Sequence, residues 1–308
     1  MNYTLHQLRI FCKVCDCQSI TRAAEALYLT QPAVSIQLKR LQNEFEIPLT
    51  EVINRKLYVT DFGKTVYQLA REILAGADRI GEAVHQYRGI LTGNIHIASA
   101  STGKYVLPYF IADFARRHPG VTLTVDVTNK TQVVDSLRAN ETDFAIVSVI
   151  PEKLRLERIP LLSNELHLAA APSYPGLPER MTAKRLARFP LIFREAGSAT
   201  LRAMEEFLER NAITPSYTMR LQSNEAVKQA VRAGLGLSIL PRIGIRNELQ
   251  LGHLRIVPMA GLPMVTEWSM VYREEKVLSP AAAALAAHVE ALKADIIARE
   301  FPEAVGVG

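Results

Sequence analysis

Along the first sixty-five residues, apolar positions recur at helical spacing in successive short bursts. Leu5, Leu8, Phe11, Cys12 and Cys15 predict one buried helical stripe. Thr4, followed three residues later by Gln7, has the form of a capping box at the start of that helix. Ser19 is a second candidate N-cap, opening a short helix through Ala23, Ala24 and Leu27, and its paired alanines let another helix come close. Tyr28-Leu29 reads as a tight connection. Thr30-Gln31-Pro32 then starts a third helix with proline in the first turn, where no N–H partner is lost. Predicted over 30–45, this helix turns Val34, Leu38, Leu41 and Phe45 inward. Its other face presents Pro32, Ile36, Lys39, Arg40 and Asn43, with Ser35 on the flank. Arg55-Lys56-Leu57-Tyr58-Val59-Thr60 reads as a small basic hairpin, after which Thr60 or Asp61 caps a long helix.

From 64 to about 88 there is no proline, and Val66, Leu69, Ile73, Ala77, Ile80, Val84 and Tyr87 recur in steps of about three and four. That pattern is a seam for a partner helix; a helix packed on its own domain gives the same pattern. Gly76 and Gly81 weaken the isolated helix by about 1 kcal/mol each but permit close backbone approach. Beyond Gly93 strands and helices alternate. Strands are predicted at 95–98, 123–127, 144–149, 166–171, 191–193, 237–240 and 268–272, and helices at 105–117, 132–139 and 280–297. The rhythm predicts an α/β domain with a mainly parallel sheet. Its restart near 166 predicts two similar lobes joined by strands near 160–167 and 264–270, with a cleft between them.

Composition narrows the class. With 48% hydrophobic and 22% charged residues over 308 positions, the chain reads as a globular protein of two or three domains rather than a disordered one. Residues 1–65 carry eight Lys/Arg against six Asp/Glu, leaving 28 against 25, so the net charge of +5 is too mild and too spread out to argue for nucleic acid by itself. No apolar run approaches the roughly 20 residues of a membrane span, and the opening residues lack a basic segment followed by an apolar stretch. A cytoplasmic protein with no membrane partner is expected. Cys12, Cys15 and Cys17 could bind metal or sense redox state, but no second Cys or His cluster completes a site. Read plainly, Cys12 and Cys15 are small apolar residues of the first helix, so no metal and no cofactor is expected.

A short helix, a tight turn and a longer helix with a polar outer face are what a helix-turn-helix requires. A three-helix cluster with a solvated face has the same spacing, and the residue identities decide between them. Ser19-Ile-Thr-Arg-Ala-Ala-Glu-Ala-Leu27 followed by Thr30-Gln-Pro-Ala-Val-Ser35 resembles the signature of LysR-type transcriptional regulators. The resemblance implies a winged helix-turn-helix reading double-stranded DNA, with the positions of Gln31, Pro32, Ser35 and Lys39 at or near the duplex. Arg22, Ile36, Arg40, Arg55 and Lys56 join them as candidates, the last two over the sugar-phosphate backbone. Two departures stand out. Ile36 occupies a position that is often Arg in relatives, exchanging a polar contact for an apolar one, such as one to a thymine methyl. Leu49-Thr50-Glu51-Val52 replaces the usual Leu-Phe-Glu-Arg, removing an aromatic residue and a phosphate contact before the wing. The resemblance further implies that the long helix pairs antiparallel in a dimer, within a dimer or tetramer that contacts RNA polymerase. The expected layout is 1–63 for DNA binding, 64–92 for the linker and 93–308 for effector binding. Within the last part, one lobe takes 93–162 and 267–308 and the other 163–266.

In the effector region, polar clusters fall where strands give way to helices, and free N–H groups there suit anions. Ser99, Ser101 and Thr102 follow the first strand and open a helix, and Asn129 follows the second strand. In the other lobe Arg194, Ser198, Thr200 and Arg202 add two fixed positive charges, and Ser223-Asn224 caps a further helix. Each of these starts singly is more often only a cap; together they predict a small anionic metabolite, be it a carboxylate, a phosphorylated sugar or a nicotinamide cofactor. Arg194-Glu-Ala-Gly-Ser198, Ser223-Asn-Glu-Ala-Val-Lys228, Ala233-Gly-Leu-Gly236, Trp268 and Leu278-Ser-Pro280 resemble the CbbR-type subgroup, which governs carbon-fixation genes. Gly234-Leu-Gly236 follows a helix and precedes a strand, the reverse of the dinucleotide fingerprint. An exported solute-binding protein would have no use for the first sixty-five residues. An enzyme is disfavoured because the seven histidines are scattered and no nucleophile elbow or zinc-helix motif occurs.

Overall fold

Thr4 closes the first helix as its sequence suggests: Gln7 N donates to Thr4 Oγ1 at 3.2 Å while Thr4 N donates to Gln7 Oε1 at 2.8 Å. The structure, a computed structural model, describes residues 2–53, 56–86, 91–216 and 218–302, the side chains of 79 and 81–86 excepted. Arg55, Tyr87 and Arg88, and the Val84 side chain, lie outside the described residues. Two compact units divide the chain, 1–90 and 91–308.

In the first unit, α1 (Leu5–Cys17), α2 (Ile20–Ala26) and α3 (Gln31–Gln42) enclose a core of Leu8, Phe11, Val14, Ala23, Val34 and Leu41. Leu5 does not join it. That side chain is 44% exposed, because α1 is sandwiched between α2–α3 on one side and the long helix on the other, which buries Ile10 and Val14 instead. Strands β1 (Thr50–Ile53) and β2 (Lys56–Val59) pair antiparallel as the wing, and α4 (Asp61–Gln86) follows. Thr60 caps α4, accepting from Gly63 N at 2.9 Å.

The wing keeps its seat despite the altered Thr50-Glu51-Val52 segment. Leu49 is fully buried, its N–H donates to Gln42 Oε1 at 2.6 Å, and its carbonyl accepts from Thr60 N at 3.1 Å. Gly63 lies so close that a Cβ there would overlap the Leu49 carbonyl oxygen and sit 2.9 Å from Val59 Cγ1. Backbone cannot yield as a flexible side chain does. Gly63→Ala is therefore expected to destabilise this unit by about 1–3 kcal/mol, read as a lower denaturant midpoint.

In the second unit, β3 (Gly93–Ala100) pairs in parallel with β4 (Val121–Thr128) and β5 (Phe144–Val147). Helix α5 (Leu107–Arg117) and the C-terminal α11 (Pro280–Glu300) cover one face through Phe110, Phe114, Phe144, Trp268 and Leu285. Helix α6 (Lys130–Arg138) covers the other through Val133 and Leu137. A second lobe repeats the scheme. Strand β7 (Leu191–Arg194) pairs in parallel with β8 (Thr218–Leu221) and bridges Leu237, just before β9 (Ser238–Pro241). Helix α8 (Ala199–Arg210), with the short α7 (Ala183–Leu186), packs on one side and α9 (Asn224–Arg232) on the other.

Two long strands tie the lobes: β6 (Leu156–Ala170) runs out and β11 (Met264–Arg273) runs back beside it, antiparallel, with a register shift at Trp268/Ser269. The sheet is thus less parallel than its sequence rhythm suggests, because β9, the short β10 (Arg255–Ile256) and β11 all pair antiparallel with β6. The remaining helix, α10 (Arg246–Gln250), follows β9. Among the described residues no helix is long and apolar enough to cross a membrane.

Candidate nucleic-acid interface and effector cleft

Helix α3 owes its start to Thr30, whose Oγ1 accepts from Ala33 N, and to Pro32 in the first turn. Its buried side, Val34, Leu38 and Leu41, fixes its rotation. Gln31, Pro32, Lys39 and Arg40 are then exposed, Ile36 is 53% exposed and Ser35 is half-buried beside them. One face therefore holds a polar N-terminal end, an apolar centre and a basic C-terminal end. Arg22, on α2, is exposed and donates to the Cys17 carbonyl; Lys56, on β2, is exposed on the wing. Burial raises the thiols of both Cys12, to about 12, and Cys15, and among the described residues no cluster of three or more His, Cys, Asp or Glu could hold a metal ion.

Helix α4 divides its apolar residues between two faces. Val66, Ala70 and, less fully, Phe62, Tyr67 and Leu74 pack into the first unit's core. Leu69, Ile73 and Ile80 point away, 54%, 44% and 72% exposed. Val66 thus leaves the seam in which its spacing placed it: the first turns of α4 lie against α1, and only the outer stripe is free for a partner.

Between the lobes, Arg194 is the central group. At the end of β7 its residue is only 2% exposed, yet it reaches the first lobe, donating from Nη2 to Ser101 Oγ at 2.8 Å. Glu195 accepts from Nε and Nη2, both at 2.8 Å, while the buried Nη1 has no hydrogen-bond partner among the described residues. Two helix N-termini meet nearby. Asn129 caps α6, accepting from Gln132 N at 3.0 Å, and Ser198 caps α8, accepting from Leu201 N at 3.5 Å. Gly197, at φ +85°, brings them together: a Cβ there would lie 2.9 Å from Thr131 Oγ1 and 3.3 Å from Asn129 Oδ1. No side chain fits where the lobes approach so closely.

Other candidates stand differently from their sequence reading. Ser99 is still inside β3, fully buried, with its hydroxyl donating to the Ala100 carbonyl at 3.2 Å. Ser101-Thr102 opens only a single 3-10 turn, Gly103–Tyr105, and the buried Thr102 makes no cap bond there. Thr200 is buried in the first turn of α8. Arg202 is exposed at the rim and paired with Glu206 at 2.9 Å. Burial first, and then Arg202, holds Lys130 below the ordinary lysine range. Each of the two positive charges has a carboxylate beside it, Glu195 for Arg194 and Glu206 for Arg202.

Sequence reasoning missed a second bridge. Tyr105 OH donates to Glu225 Oε2 at 3.3 Å, and Lys228 Nζ holds Glu225 at 2.9 Å and Glu248 at 2.8 Å. Asn224, 1% exposed, lies against Gly244 beside Tyr105. A cavity of about 220 Å³ lined by Tyr105, Lys228 and Glu248 adjoins this network, but its buried ammonium is already held by two carboxylates. The motif around Ser223 carried these residues; nothing in it showed that Tyr105, 120 positions earlier, would meet Glu225.

A three-helix reader with a wing, followed by a two-lobed α/β sensor with a polar cleft, defines a ligand-responsive, DNA-binding transcription regulator. Residues 5–64 match the bacterial regulatory helix-turn-helix family, lysR type, and residues 88–293 match the LysR substrate binding domain. The chain belongs to the LysR family. It is 36% identical to the HTH-type transcriptional activator CmpR of Synechocystis, over 90% of this chain and 92% of that one. It is 38% identical to a RuBisCO operon transcriptional regulator of Allochromatium vinosum, over 92% and 94%. The regulatory domain of Synechocystis CcmR, solved in complex with 2-PG, superposes with a TM-score of 0.61 at 29% identity, covering 66% of this chain and 98% of that one.

Proposed function

We propose that the chain binds inverted-repeat promoter DNA as a dimer or tetramer and answers a small phosphorylated carboxylate held between its lobes. The observation that carries this reading is the buried Arg194 guanidinium, with Nη1 unpartnered and Nη2 on the opposite lobe. A buried donor without a partner costs about 1–3 kcal/mol, which a ligand acceptor recovers. The N-termini of α6 and α8 supply the complement for a second anionic group. An anion with two heads, one on Arg194 and one on the helix ends, would pull the lobes into one relative setting. Ser101, Thr102, Asn129, Ser198 and Thr200 line or back this site, with Arg202 at its rim. Likeness to CmpR and to a RuBisCO operon regulator, and the 2-PG bound to CcmR, favour this class over a nicotinamide cofactor and point to carbon-fixation genes as targets.

On the DNA side, Gln31, Pro32, Ser35 and Ile36 face base edges, while Arg22, Lys39, Arg40, Arg55 and Lys56 hold phosphates. The layout is 1–63 for DNA, 64–92 for pairing and 93–308 for sensing, with RNA polymerase as the downstream partner. The protein carries out no catalysis and works in the cytoplasm.

The test is titration of the full chain with 2-phosphoglycolate, followed by calorimetry and by the fluorescence of Trp268, the chain's one tryptophan. Saturable binding is expected. Arg194→Ala should weaken it by about 1.5–3 kcal/mol, the worth of a charge-assisted hydrogen bond, with operator binding retained. Absence of binding by any small phosphorylated carboxylate would remove the reading.

A further inference from the structure

We infer that Glu195 is a specificity residue of the cleft, there to keep simple anions off Arg194. This rests on the reading that Arg194 faces the ligand. A guanidinium has five N–H donors. Glu195 takes one from Nε and one from Nη2, along the edge that a phosphate or carboxylate grips with two parallel bonds. Ser101 Oγ takes a second contact from Nη2, and Nη1 has no partner among the described residues. The strongest mode of anion capture is therefore occupied from within, and the positive charge is offset by a carboxylate at 2.8 Å.

Because Nη1 is itself buried, an anion reaches it only as the lobes part, and there it feels the repulsion of Glu195. It gains a grip on the Nη1–Nη2 end only by displacing Ser101, which breaks one of the bridges between the lobes. A one-headed anion such as inorganic phosphate gains little from that exchange. A two-headed ligand recovers the loss at the α6 and α8 N-termini and re-joins the lobes through itself. Glu195 so makes the ligand's second group a condition of binding.

Calorimetry on the full-length wild type and Glu195→Gln, with inorganic phosphate and with 2-phosphoglycolate, tests this. Removing one charge several ångströms from the bound anion should tighten phosphate binding about tenfold. Its ionic-strength dependence should steepen as well, which a merely structural role would not cause. If the Gln variant does not fold, Glu195→Asp, which withdraws the carboxylate from the guanidinium edge, should tighten phosphate about threefold. Unchanged or weaker phosphate binding in the folded variant overturns the inference. If wild type ignores 2-phosphoglycolate while Glu195→Gln gains phosphate, the inference stands and the effector class falls.

Discussion

Ile73→Asp is expected to turn the oligomer into monomers and to lower operator affinity by more than 100-fold. Leu69, Ile73 and Ile80 form an apolar stripe along the outer side of α4, left exposed by the described residues of the first unit. Isolated exposed apolar side chains are ordinary, whereas three in register on one helix are what a partner helix would cover. An aspartate in that seam would bury an unpaired charge, at on the order of 3–5 kcal/mol, and a symmetric pair would meet it twice. The change touches no residue of the core, so each monomer should keep its fold and its thermal midpoint. Operator affinity falls because two half-sites held by one dimer bind as a linked pair, and separate monomers lose that linkage. Sedimentation of the variant gives the answer. An unchanged mass would assign pairing to another surface. Val66→Asp is the control: Val66 is in the core, so that variant should unfold rather than dissociate.

Those two valine and isoleucine positions show what the sequence could and could not tell. Spacing identified α4 as apolar along its length, and it put Val66 and Ile73 in one line. Which of them is covered depends on where α1 lies, a tertiary fact that no period contains. Caps fared well because they are local. Thr4, Ser19, Thr30, Asn129, Ser198 and Ser223 each accept from an N–H three residues on. Leu5 and the parallel sheet fared worse for the reason Val66 did. A strand's partners and a helix's neighbours are chosen at long range, as when β6 and β11 run side by side from 98 to 117 residues apart. In the cleft, Arg194 was legible as a charge near a helix start. Its pairing with the very next residue was not, since adjacent side chains on a strand ordinarily point apart.

The remaining large effect lies on α3. Gln31→Ala should reduce operator affinity by about 1–3 kcal/mol, the worth of one good base-edge pairing, and leave a random duplex bound as before. Gln31 sits at the exposed N-terminal end of α3, the end that enters the groove in a helix-turn-helix. Lys39→Ala should act differently. Lys39 lies two turns along the same face and is exposed, so it can reach a phosphate but carries no sequence information. Its loss should weaken operator and random duplex by the same factor and lower the salt slope of binding by about one. Ile36, 53% exposed between them, supplies the apolar surface that a thymine methyl would cover. Ile36→Arg should therefore shift the preferred base at that step and raise the salt slope. Competition gel shifts at two salt concentrations separate the cases. Equal losses on both duplexes for Gln31→Ala and Lys39→Ala would mean that α3 grips the backbone and that another element reads the bases.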